Sequence, residues 1–253
     1  MILAIDIGNT TISLAILQGL KAKKVWVLET AQPRNALRLN LNRVMRQAIR
    51  KAPRIEKIII CSVVPDVLPA VKSALRQYFK GEPLLVGSDI KVPMKNLYRN
   101  PRQVGQDRLV VAYAAMKIYG APVIIIDLGT AITFDVVSSK KGYMGGVIVP
   151  GIRLSAESLY KKTAMLPKVG IKVPGALIGR DTQTSILSGL FYGYGMLCQG
   201  MIALIKTRVK GRPKVVMTGG YADSMKKFVA RQIDAIDRDL VLKGMALLAE
   251  NYE

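Results

Sequence analysis

The chain has 253 residues, of which 50% are hydrophobic, with a mean hydropathy of +0.25 and a formal net charge of +21. This composition is ample for a buried core, so it excludes general disorder. The chain contains no histidine, which excludes Ser-His-Asp hydrolysis, histidine-ligated zinc and histidine base catalysis. Acid–base chemistry must therefore come from carboxylates, lysine or tyrosine.

The basic excess is spread over the whole chain. Residues 1–118 hold 20 Lys and Arg against 7 Asp and Glu, and residues 119–253 hold 18 against 10. A nucleic-acid-binding protein usually concentrates its basic residues and adds exposed aromatic residues, which make up only 6% here. We therefore expect a solvated basic surface and disfavour nucleic acid as a partner. Attraction of an anionic substrate and incidental affinity for nucleic acid are the open alternatives.

Membrane and redox features are weak in this sequence. No uninterrupted apolar run reaches the roughly 18 to 20 residues of a membrane span, because Asp6 and Asp127 interrupt the most hydrophobic stretches. The first residues also lack the basic segment of a signal peptide, so we expect a cytoplasmic protein with no membrane partner. Cys61 and Cys198 have apolar neighbours and no CxxC spacing, which predicts inert thiols in the core.

In chain order, the first half begins with a β-hairpin and a third strand, followed by helices that alternate with strands. The predicted elements are strands at 2–7, 12–17 and 25–28, a basic amphipathic helix after Pro33, a strand at 57–64, a helix at 67–79, a short strand at 84–86 and a helix at 103–119. The Gly120-Ala121-Pro122 segment then predicts a boundary between two lobes, residues 1–119 and 120–253.

The second half repeats this order of elements. We predict strands at 123–128, 132–138, 142–148 and 215–218, and helices at 151–161, 181–208 and 240–251. Strands followed by helices in each half predict an α/β fold.

Two stretches of the chain are versions of one another, ILAIDIGNTTISLAI at 2–16 and VIIIDLGTAITFDVV at 123–137. Each is an apolar run that ends in Asp, followed by a glycine turn, a nearby threonine and a second apolar run. Glycine lets the backbone turn sharply beside a phosphate, whose oxygens accept hydrogen bonds from N–H groups and the hydroxyl. Asp6 and Asp127, at the strand ends, are placed to hold a cation or its water shell. Because an enzyme that holds ATP between two related lobes needs this arrangement twice, the repeat predicts phosphoryl transfer.

Other phosphate-binding motifs are missing from the sequence. No G-x-x-x-x-G-K-[ST] occurs, and no G-x-G-x-x-G opens a helix, so the duplicated hairpin must bind the phosphates. This pattern resembles the actin, hexokinase and Hsp70 superfamily. The resemblance implies an α/β fold of two similar lobes of the ribonuclease H-like, actin-like ATPase type, with the active site in the cleft between them.

The segment between the two copies, YRNPRQVGQDR at 98–108, carries a second candidate site. Asp107 and Arg108 lie near the start of a predicted helix, where the helix dipole favours an ionised carboxylate. Two interpretations are open from spacing alone. The pair is either an ordinary helix start with an exposed arginine, or a carboxylate base beside a cationic anchor for an acidic substrate.

With these motifs, the chain resembles the type III pantothenate kinases over almost its whole length. The D-x-G-N-T motif of that family lies at 6–10, its Y-x-N-P-x-x-x-G-x-D-R motif at 98–108 and its D-x-G-T-A-x-T-x-D motif at 127–135. Further matches lie at 145–151, 163–167, 179–189 and 218–220.

This resemblance implies ATP-dependent phosphorylation of pantothenate to 4'-phosphopantothenate, the first step of coenzyme A biosynthesis. It implies that ATP is bound by Thr130 of the second hairpin and by the first hairpin, at Asp6, Ile7, Gly8, Asn9, Thr10, Thr11, Ile12 and Ser13. It implies a pantothenate pocket lined by Tyr98, Gly105, Gln106, Asp107, Arg108 and Thr182. In that pocket Asp107 would accept the proton of the primary hydroxyl.

The resemblance also implies a monovalent cation, potassium or ammonium, at Asp127, and Mg²⁺ bound with ATP. It implies a homodimer whose contact lies near the helix of Thr182. Two rival functions use the same hairpins. One is another small-molecule kinase or a phosphatase of the superfamily, and the other is a non-catalytic regulatory protein on the same fold.

Overall fold

The computed structural model describes residues 1–52 and 54–252 and divides by its internal contacts into two compact units. Unit 1 comprises Met1–Met94, Arg99–Ala114 and Asp239–Glu253, and unit 2 comprises Lys95–Tyr98 and Ala115–Arg238. The chain thus leaves and re-enters unit 1 more than once. The two lobes expected at residues 1–119 and 120–253 stay a prediction.

Unit 1 is built on a five-stranded sheet in the order β3-β2-β1-β4-β5. Its strands are β1 Ile2–Ile7, β2 Thr11–Gln18, β3 Lys21–Glu29, β4 Lys57–Ser62 and β5 Leu84–Leu85. The first three strands are antiparallel, and β4 and β5 run parallel to β1. The helices of this unit are α1 Arg34–Lys51, α2 Leu68–Arg76, the first part of α3 Gln106–Tyr119, and α7 Leu240–Glu250.

The two faces of the unit 1 sheet carry different side chains. Leu3, Ile5 and Ile7 of β1 are fully buried and pack with the apolar sides of α1 and α2. Because side chains alternate along a strand, Ala4 and Asp6 lie on the opposite face. The C-terminal helix α7 contacts β1 and β4, which explains why the end of the chain belongs to unit 1.

Unit 2 is built on a six-stranded sheet in the order β11-β10-β7-β8-β9-β6. Its strands are β6 Lys95–Asn96, β7 Val123–Leu128, β8 Ala131–Val137, β9 Gly142–Pro150, β10 Lys214–Thr218 and β11 Ala235–Ile236. Its helices are α4 Ile152–Lys162, α5 Thr182–Lys206 and α6 Ala222–Val229. Ile124, Ile126 and Leu128 of β7 pack with all three helices in one buried cluster.

The two sheets repeat one topology. The order β9-β8-β7-β10-β11 in unit 2 matches the order β3-β2-β1-β4-β5 in unit 1, with the same parallel and antiparallel pairings. The repeat found in the sequence is therefore also a repeat of topology. The predicted α/β class is confirmed.

The structure differs from the predicted elements at a few places. The long helix α3 begins at Gln106 rather than at residue 103, because the side chain of Asn100 accepts a hydrogen bond from Arg102 N and Pro101–Gln103 form a separate 3₁₀ turn. The helix α6 was not predicted, although its buried Ala222, Met225 and Val229 recur at helical spacing. The strands β6 and β11 have two residues each and are too short to show a period.

The helix α5 is a long apolar segment, a property that the sequence analysis did not identify. Among the described residues it is the one helix long and apolar enough to cross a membrane, with a hydropathy of 1.3 over an 18-residue window that is 39% buried. A search for uninterrupted apolar runs missed it because Gly, Ser and Gln interrupt the pattern. Core helices pass the same test, and α5 contributes Leu187, Phe191 and Ile202 to buried positions. The absence of a membrane partner stays a prediction.

The close packing of α7 on α3 generates a test of the fold. A Cβ built on Gly244 of α7 would lie 2.6 Å from both Val110 Cγ1 and Val110 O, and 3.2 Å from Ala114 Cβ. We expect Gly244→Ala to lower the free energy of unfolding by about 1–2 kcal/mol, because overpacking against a backbone oxygen costs about 2–3 kcal/mol, the upper part of the usual range, and the gain in helix propensity returns about 1 kcal/mol. Urea unfolding measures this difference.

The control is Gly170→Ala, where a Cβ would meet no atom within 4 Å and where φ is not positive. It should change the free energy of unfolding by less than about 0.5 kcal/mol. Equal stability of the Gly244→Ala protein and the wild type would contradict the close helix contact.

Candidate active site

The turn between β1 and β2 is held by its own backbone and by one threonine from the end of β3. Gly8 N donates to Thr11 O at 2.9 Å, and Thr30 N donates to Thr10 O at 2.9 Å. The hydroxyl of Thr30, which is 7% exposed, donates to Gly8 O at 2.7 Å. These bonds fix the backbone of the first hairpin turn. The role of Thr30 was missed because nothing in the sequence relates it to a turn 20 residues earlier.

The predicted ATP-binding positions of this hairpin differ in what they can offer a ligand. The side chains of Ile7 and Ile12 are fully buried in the core, so only their backbone groups are available. The side chains of Asn9 and Thr11 are exposed. The half-buried positions are Asp6, Gly8, Thr10 and Ser13. The turn thus presents amide, hydroxyl and backbone groups above an apolar base, as a phosphate-binding turn requires.

Cys61 is a buried thiol in register with Asp6, at the end of β1 to which the segment around Val63 is tied. Asp6 of β1 pairs in register with Cys61 of β4. Burial raises the pKa of the Cys61 thiol well above its usual range, and the negative charges of Asp6 and Asp107 raise it further. The thiol therefore stays protonated, as expected of an inert core cysteine. The segment at 98–108 lies near this end of β1 and β4, because a Cβ on Gly105 would contact Val63, whose N donates to Ile7 O.

Gly105 creates the space that the Asp107 carboxylate occupies. A Cβ on Gly105 would overlap Asp107 Oδ1 and would lie 3.7 Å from Val63 Cγ1. Val63 N in turn donates to Ile7 O at 3.0 Å, so this segment is tied to the end of β1. Asp107 Oδ1 also accepts a hydrogen bond from Arg108 N at 2.8 Å. The carboxylate is thus positioned by its own helix start and by a glycine two residues earlier.

A second glycine, missed by the sequence analysis, positions Gln106. Gly87 has φ +92°, and a Cβ there would lie 2.7 Å from Gln106 Cδ and 2.9 Å from Gln106 Cγ. Its backbone N donates to Ile90 O at 2.8 Å and so closes a turn after β5. The only sequence signal was a glycine that follows the short apolar run at 84–86.

Asp127 of the second hairpin lies in unit 2 beside two glycines. A Cβ on Gly219, which has φ +91°, would overlap Asp127 Oδ1 and lie 2.6 Å from Leu128 N. A Cβ on Gly129 would lie 3.4 Å from Asp127 Oδ1. A substitution at Gly219 would therefore be strained by its backbone conformation and would displace the carboxylate that it faces.

The turn that carries Thr130 is covered by the start of α4. Gly151 N donates to Thr130 O at 3.0 Å, and a Cβ on Gly151 would overlap Thr130 O and Gly129 O. The side chain of Thr130 itself is exposed. The second hairpin is thus fixed through its backbone, and the side chain of Thr130 lies at the surface of the unit.

The residues beside Asp127 suit a hard cation held by oxygen atoms. Thr133 and Thr218 are in register with Asp127 on the adjacent strands, and such cations bind carboxylate, hydroxyl and carbonyl oxygens. Across residues 1–52 and 54–252, no group of three or more His, Cys, Asp or Glu side chains is placed to hold a metal ion. A cation at Asp127 would therefore be completed by neutral oxygen atoms or by a bound substrate.

The remaining predicted substrate residues lie on separate elements of unit 2. Tyr98 follows β6 and is half-buried, with its ring centroid 6.5 Å from that of Tyr143. Thr182 is the exposed first residue of α5, next to the N-cap Asp181. Asp181 accepts a hydrogen bond from Thr184 N at 2.8 Å, and the bonds from Thr184 lower its pKa. The motif at 98–108 thus begins in unit 2 and continues in unit 1.

Solved structures share this fold at low sequence identity. A Campylobacter jejuni protein named as a proposed Baf family transcriptional activator is 20% identical, with a TM-score of 0.58 over 98% of this chain and 97% of that chain. A proposed 2-dehydro-3-deoxygalactonokinase from Sinorhizobium meliloti is 11% identical, with a TM-score of 0.56 over 99% and 98%. Component A of (R)-2-hydroxyglutaryl-CoA dehydratase from Acidaminococcus fermentans is 12% identical, with a TM-score of 0.52 over 98% and 95%. These likenesses show the fold alone, which is the predicted actin-like ATPase fold.

The family is shown by the sequence itself. A family model described as type III pantothenate kinase matches residues 2–204, a range that includes both hairpins and the segment at 98–108. The protein is thus a kinase of the actin-like ATPase superfamily, and the chain belongs to the type III pantothenate kinase family.

Proposed function

We propose that this protein transfers the γ-phosphoryl group of ATP to the primary hydroxyl of pantothenate, the first step of coenzyme A biosynthesis. One observation carries this proposal beyond family membership. In unit 1, Val63 N donates to Ile7 O at 3.0 Å, and a Cβ on Gly105 would lie 3.7 Å from Val63 Cγ1, so the first hairpin and the segment at 98–108 share one end of the sheet. A carboxylate beside a phosphate-binding turn suits transfer to an alcohol.

Asp107 has two tasks in the proposed reaction. It accepts a hydrogen bond from the substrate hydroxyl, and it takes the proton as the new oxygen–phosphorus bond forms and ADP leaves. Phosphoryl transfer passes through a loose transition state, so orientation and charge stabilisation contribute most of the rate. The guanidinium of Arg108, next along α3, supplies a positive charge for the carboxylate of pantothenate.

The nucleotide is assigned to the hairpin residues. We propose that Thr130 and the first hairpin bind ATP, with Ile7 and Ile12 contributing backbone groups only, since their side chains are buried. The Mg²⁺ that accompanies ATP supplies charge neutralisation on the transferred group. The basic surface of the protein, with its net charge of +21, favours the approach of two anionic substrates.

A coupled ADP-release assay with pantothenate tests the function and the role of Asp107. We expect the wild type to release ADP only with pantothenate present, and we expect Asp107→Asn to lower kcat by about 10²–10⁴-fold, the usual contribution of a positioned acid–base group. The unfolding transition should change little, because the side chain keeps its shape.

The control is Glu82→Gln, an exposed carboxylate of unit 1 that forms an ion pair with Arg76. Glu82 precedes β5, which runs in the same direction as β1, so it lies at the opposite end of the sheet from Asp6 and kcat should stay close to the wild-type value. Near-normal turnover by Asp107→Asn would contradict its role. If the wild type releases no pantothenate-dependent ADP with potassium or ammonium, pantothenate is not the acceptor. Salt-sensitive retention by DNA without turnover would instead support the regulatory alternative.

The proposed cation site at Asp127 has its own test. We expect turnover to depend on potassium or ammonium. We also expect Gly219→Ala to raise the half-saturating potassium concentration at least about tenfold, because its Cβ would displace the Asp127 carboxylate from the cation. A tenfold change corresponds to a loss of about 1.4 kcal/mol of binding free energy. Gly220→Ala is the control, since a Cβ there would meet no atom within 4 Å. Equal potassium dependence in both variants would contradict a site at Asp127.

We also propose a homodimer formed along one exposed face of α5. The face carries apolar side chains that are exposed, with Met196 60% exposed and Leu204 64% exposed. Three glycines lie on the same face at helical spacing, and a Cβ built on any of them would meet no atom within 4 Å: Gly189, Gly193 and Gly200. A second copy of this chain placed on the face would cover these side chains in a symmetric contact.

The dimer is tested with a double variant. Met196→Lys with Leu204→Lys places two charges on the proposed contact, so the mass by light scattering should fall from dimer to monomer. The control is Leu39→Lys on α1, where the side chain is 68% exposed outside the proposed face. A wild-type protein that is monomeric at micromolar concentration would contradict the proposal.

A further inference from the structure

The segment that carries Tyr98 is attached to β9 by backbone hydrogen bonds. Lys95 and Asn96 of β6 pair in register with Gly142 and Tyr143. Leu97 N donates to Tyr143 O at 2.8 Å. Tyr98 N then donates to Asn96 Oδ1 at 3.0 Å. A strand of two residues is short, so the side chains around Tyr98 must contribute to holding it.

The ring of Tyr98 contacts β9 at two points. Its centroid lies 6.5 Å from the centroid of Tyr143, with an angle of 36° between the ring planes. A Cβ on Gly145 would lie 3.2 Å from Tyr98 Cδ2 and 3.3 Å from Tyr98 Cε2, so the ring lies close to bare backbone. With φ +117°, Gly145 also has a backbone conformation that other residues rarely adopt. The position of the Tyr98 ring thus depends on where the Tyr143 ring lies.

A buried carboxylate fixes the Tyr143 ring. Tyr143 is fully buried, and its hydroxyl donates to Asp135 Oδ1 at 2.6 Å. Thr133 Oγ1 donates to Asp135 Oδ2 at 2.8 Å, and Asp135 is only 1% exposed. Short bonds to a buried carboxylate are strong and directional, so they set the orientation of the phenol ring.

Stability alone does not explain a carboxylate at this position. Replacing buried ionic groups by apolar side chains of similar volume is often neutral or stabilising, so the hydrogen bonds of Asp135 are weak evidence for a role in stability. The better attested effect of a buried ionic group is to specify one arrangement of its neighbours. Here the neighbours form a connected path from Asp135 through Tyr143 to Tyr98.

We infer that Asp135 and Tyr143 are positioning residues that hold the ring of Tyr98 in the orientation that binds the substrate. This inference rests on the proposed function, in which Tyr98 lines the pantothenate pocket. It predicts that a change at Tyr143 weakens substrate binding without touching the reacting groups.

Two variants at Tyr143 separate the hydroxyl from the ring. Tyr143→Phe keeps the ring and removes the bond to Asp135, whereas Tyr143→Leu removes the ring contact as well. We expect the KM for pantothenate to rise about tenfold in Tyr143→Leu, and by less in Tyr143→Phe, because a contact of ordinary strength is lost. The kcat and the KM for ATP should stay within about twofold, since only substrate binding is weakened.

The matched control is Tyr119→Phe, which removes another tyrosine–aspartate bond from the same unit. Tyr119 OH donates to Asp237 Oδ2 at 2.9 Å, and Asp237 is 6% exposed. Burial and this bond raise the pKa of Tyr119 to about 12, so its hydroxyl stays a donor. The control should lose comparable stability while its KM for pantothenate stays at the wild-type value. A wild-type KM in Tyr143→Leu, or an equal rise in Tyr119→Phe, would overturn the inference.

A second measurement does not depend on turnover. In protein labelled with 3-fluorotyrosine, the Tyr98 resonance is assigned by its loss in Tyr98→Phe. We expect Tyr143→Leu to shift this resonance and Tyr119→Phe to leave it in place. An unmoved resonance overturns the inference even if the wild type proves inactive with pantothenate, whereas inactivity of the wild type alone contradicts only the proposed function.

Discussion

The alternation of side chains along the two central strands is the constraint on which both candidate sites depend. Leu3, Ile5 and Ile7 face the helices of unit 1, so Asp6 must face the other way. Full burial contributes roughly 1.5–3 kcal/mol for each apolar side chain, whereas a buried unpaired carboxylate costs several kcal/mol. A slip of one residue would exchange the two sets. The packing of the core therefore also fixes the face of the sheet on which the Asp6 carboxylate lies.

Two glycines determine where the carboxylates of Asp107 and Asp127 lie, because they have no side chain to fill the same space. At Asp107 the space is made by Gly105, which belongs to the same short motif. At Asp127 it is made by Gly219, which comes from the end of a different strand and has a positive φ. Both glycines are required because a Cβ would occupy the position of a carboxylate oxygen. Space for the carboxylate thus comes from a neighbouring residue in the sequence at Asp107, and from a residue brought near by the fold at Asp127.

The sequence predicted those features that depend on neighbouring residues. The hairpins at β1–β2 and β7–β8 and the α/β class follow from apolar runs and glycine turns, which are local signals. The start of α3 was misplaced by three residues, because the side chain of Asn100 caps a 3₁₀ turn that has no hydrophobic period. The contacts of Thr30 with the first turn and of Gly87 with Gln106 depend on strand order and register, which no pattern in the sequence specifies.

The two strand-end aspartates have diverged in a way that supports placing the cation at Asp127. Residues in register on adjacent strands point to the same face of a sheet. Each aspartate is in register with one hydroxyl residue, Ser13 or Thr133, but the other neighbour is the thiol of Cys61 beside Asp6 and the hydroxyl of Thr218 beside Asp127. Sulfur is a poor ligand for a hard cation, and hydroxyl oxygen is a suitable one.

This divergence connects the cation proposal with the positioning of Tyr98. Thr133, beside Asp127 on the sheet, donates its hydroxyl proton to Asp135, so its oxygen lone pairs are directed away from that bond. One carboxylate, Asp135, therefore orients both the threonine next to the proposed cation site and the tyrosine that contacts Tyr98. In unit 1 the residue equivalent to Thr133 is Ser13, but the residue equivalent to Thr218 is Cys61, a thiol, and that unit instead supplies the carboxylate of Asp107. The same topology thus supports a proposed cation site in unit 2 and a proposed proton acceptor in unit 1, because the residues beside the repeated aspartate differ.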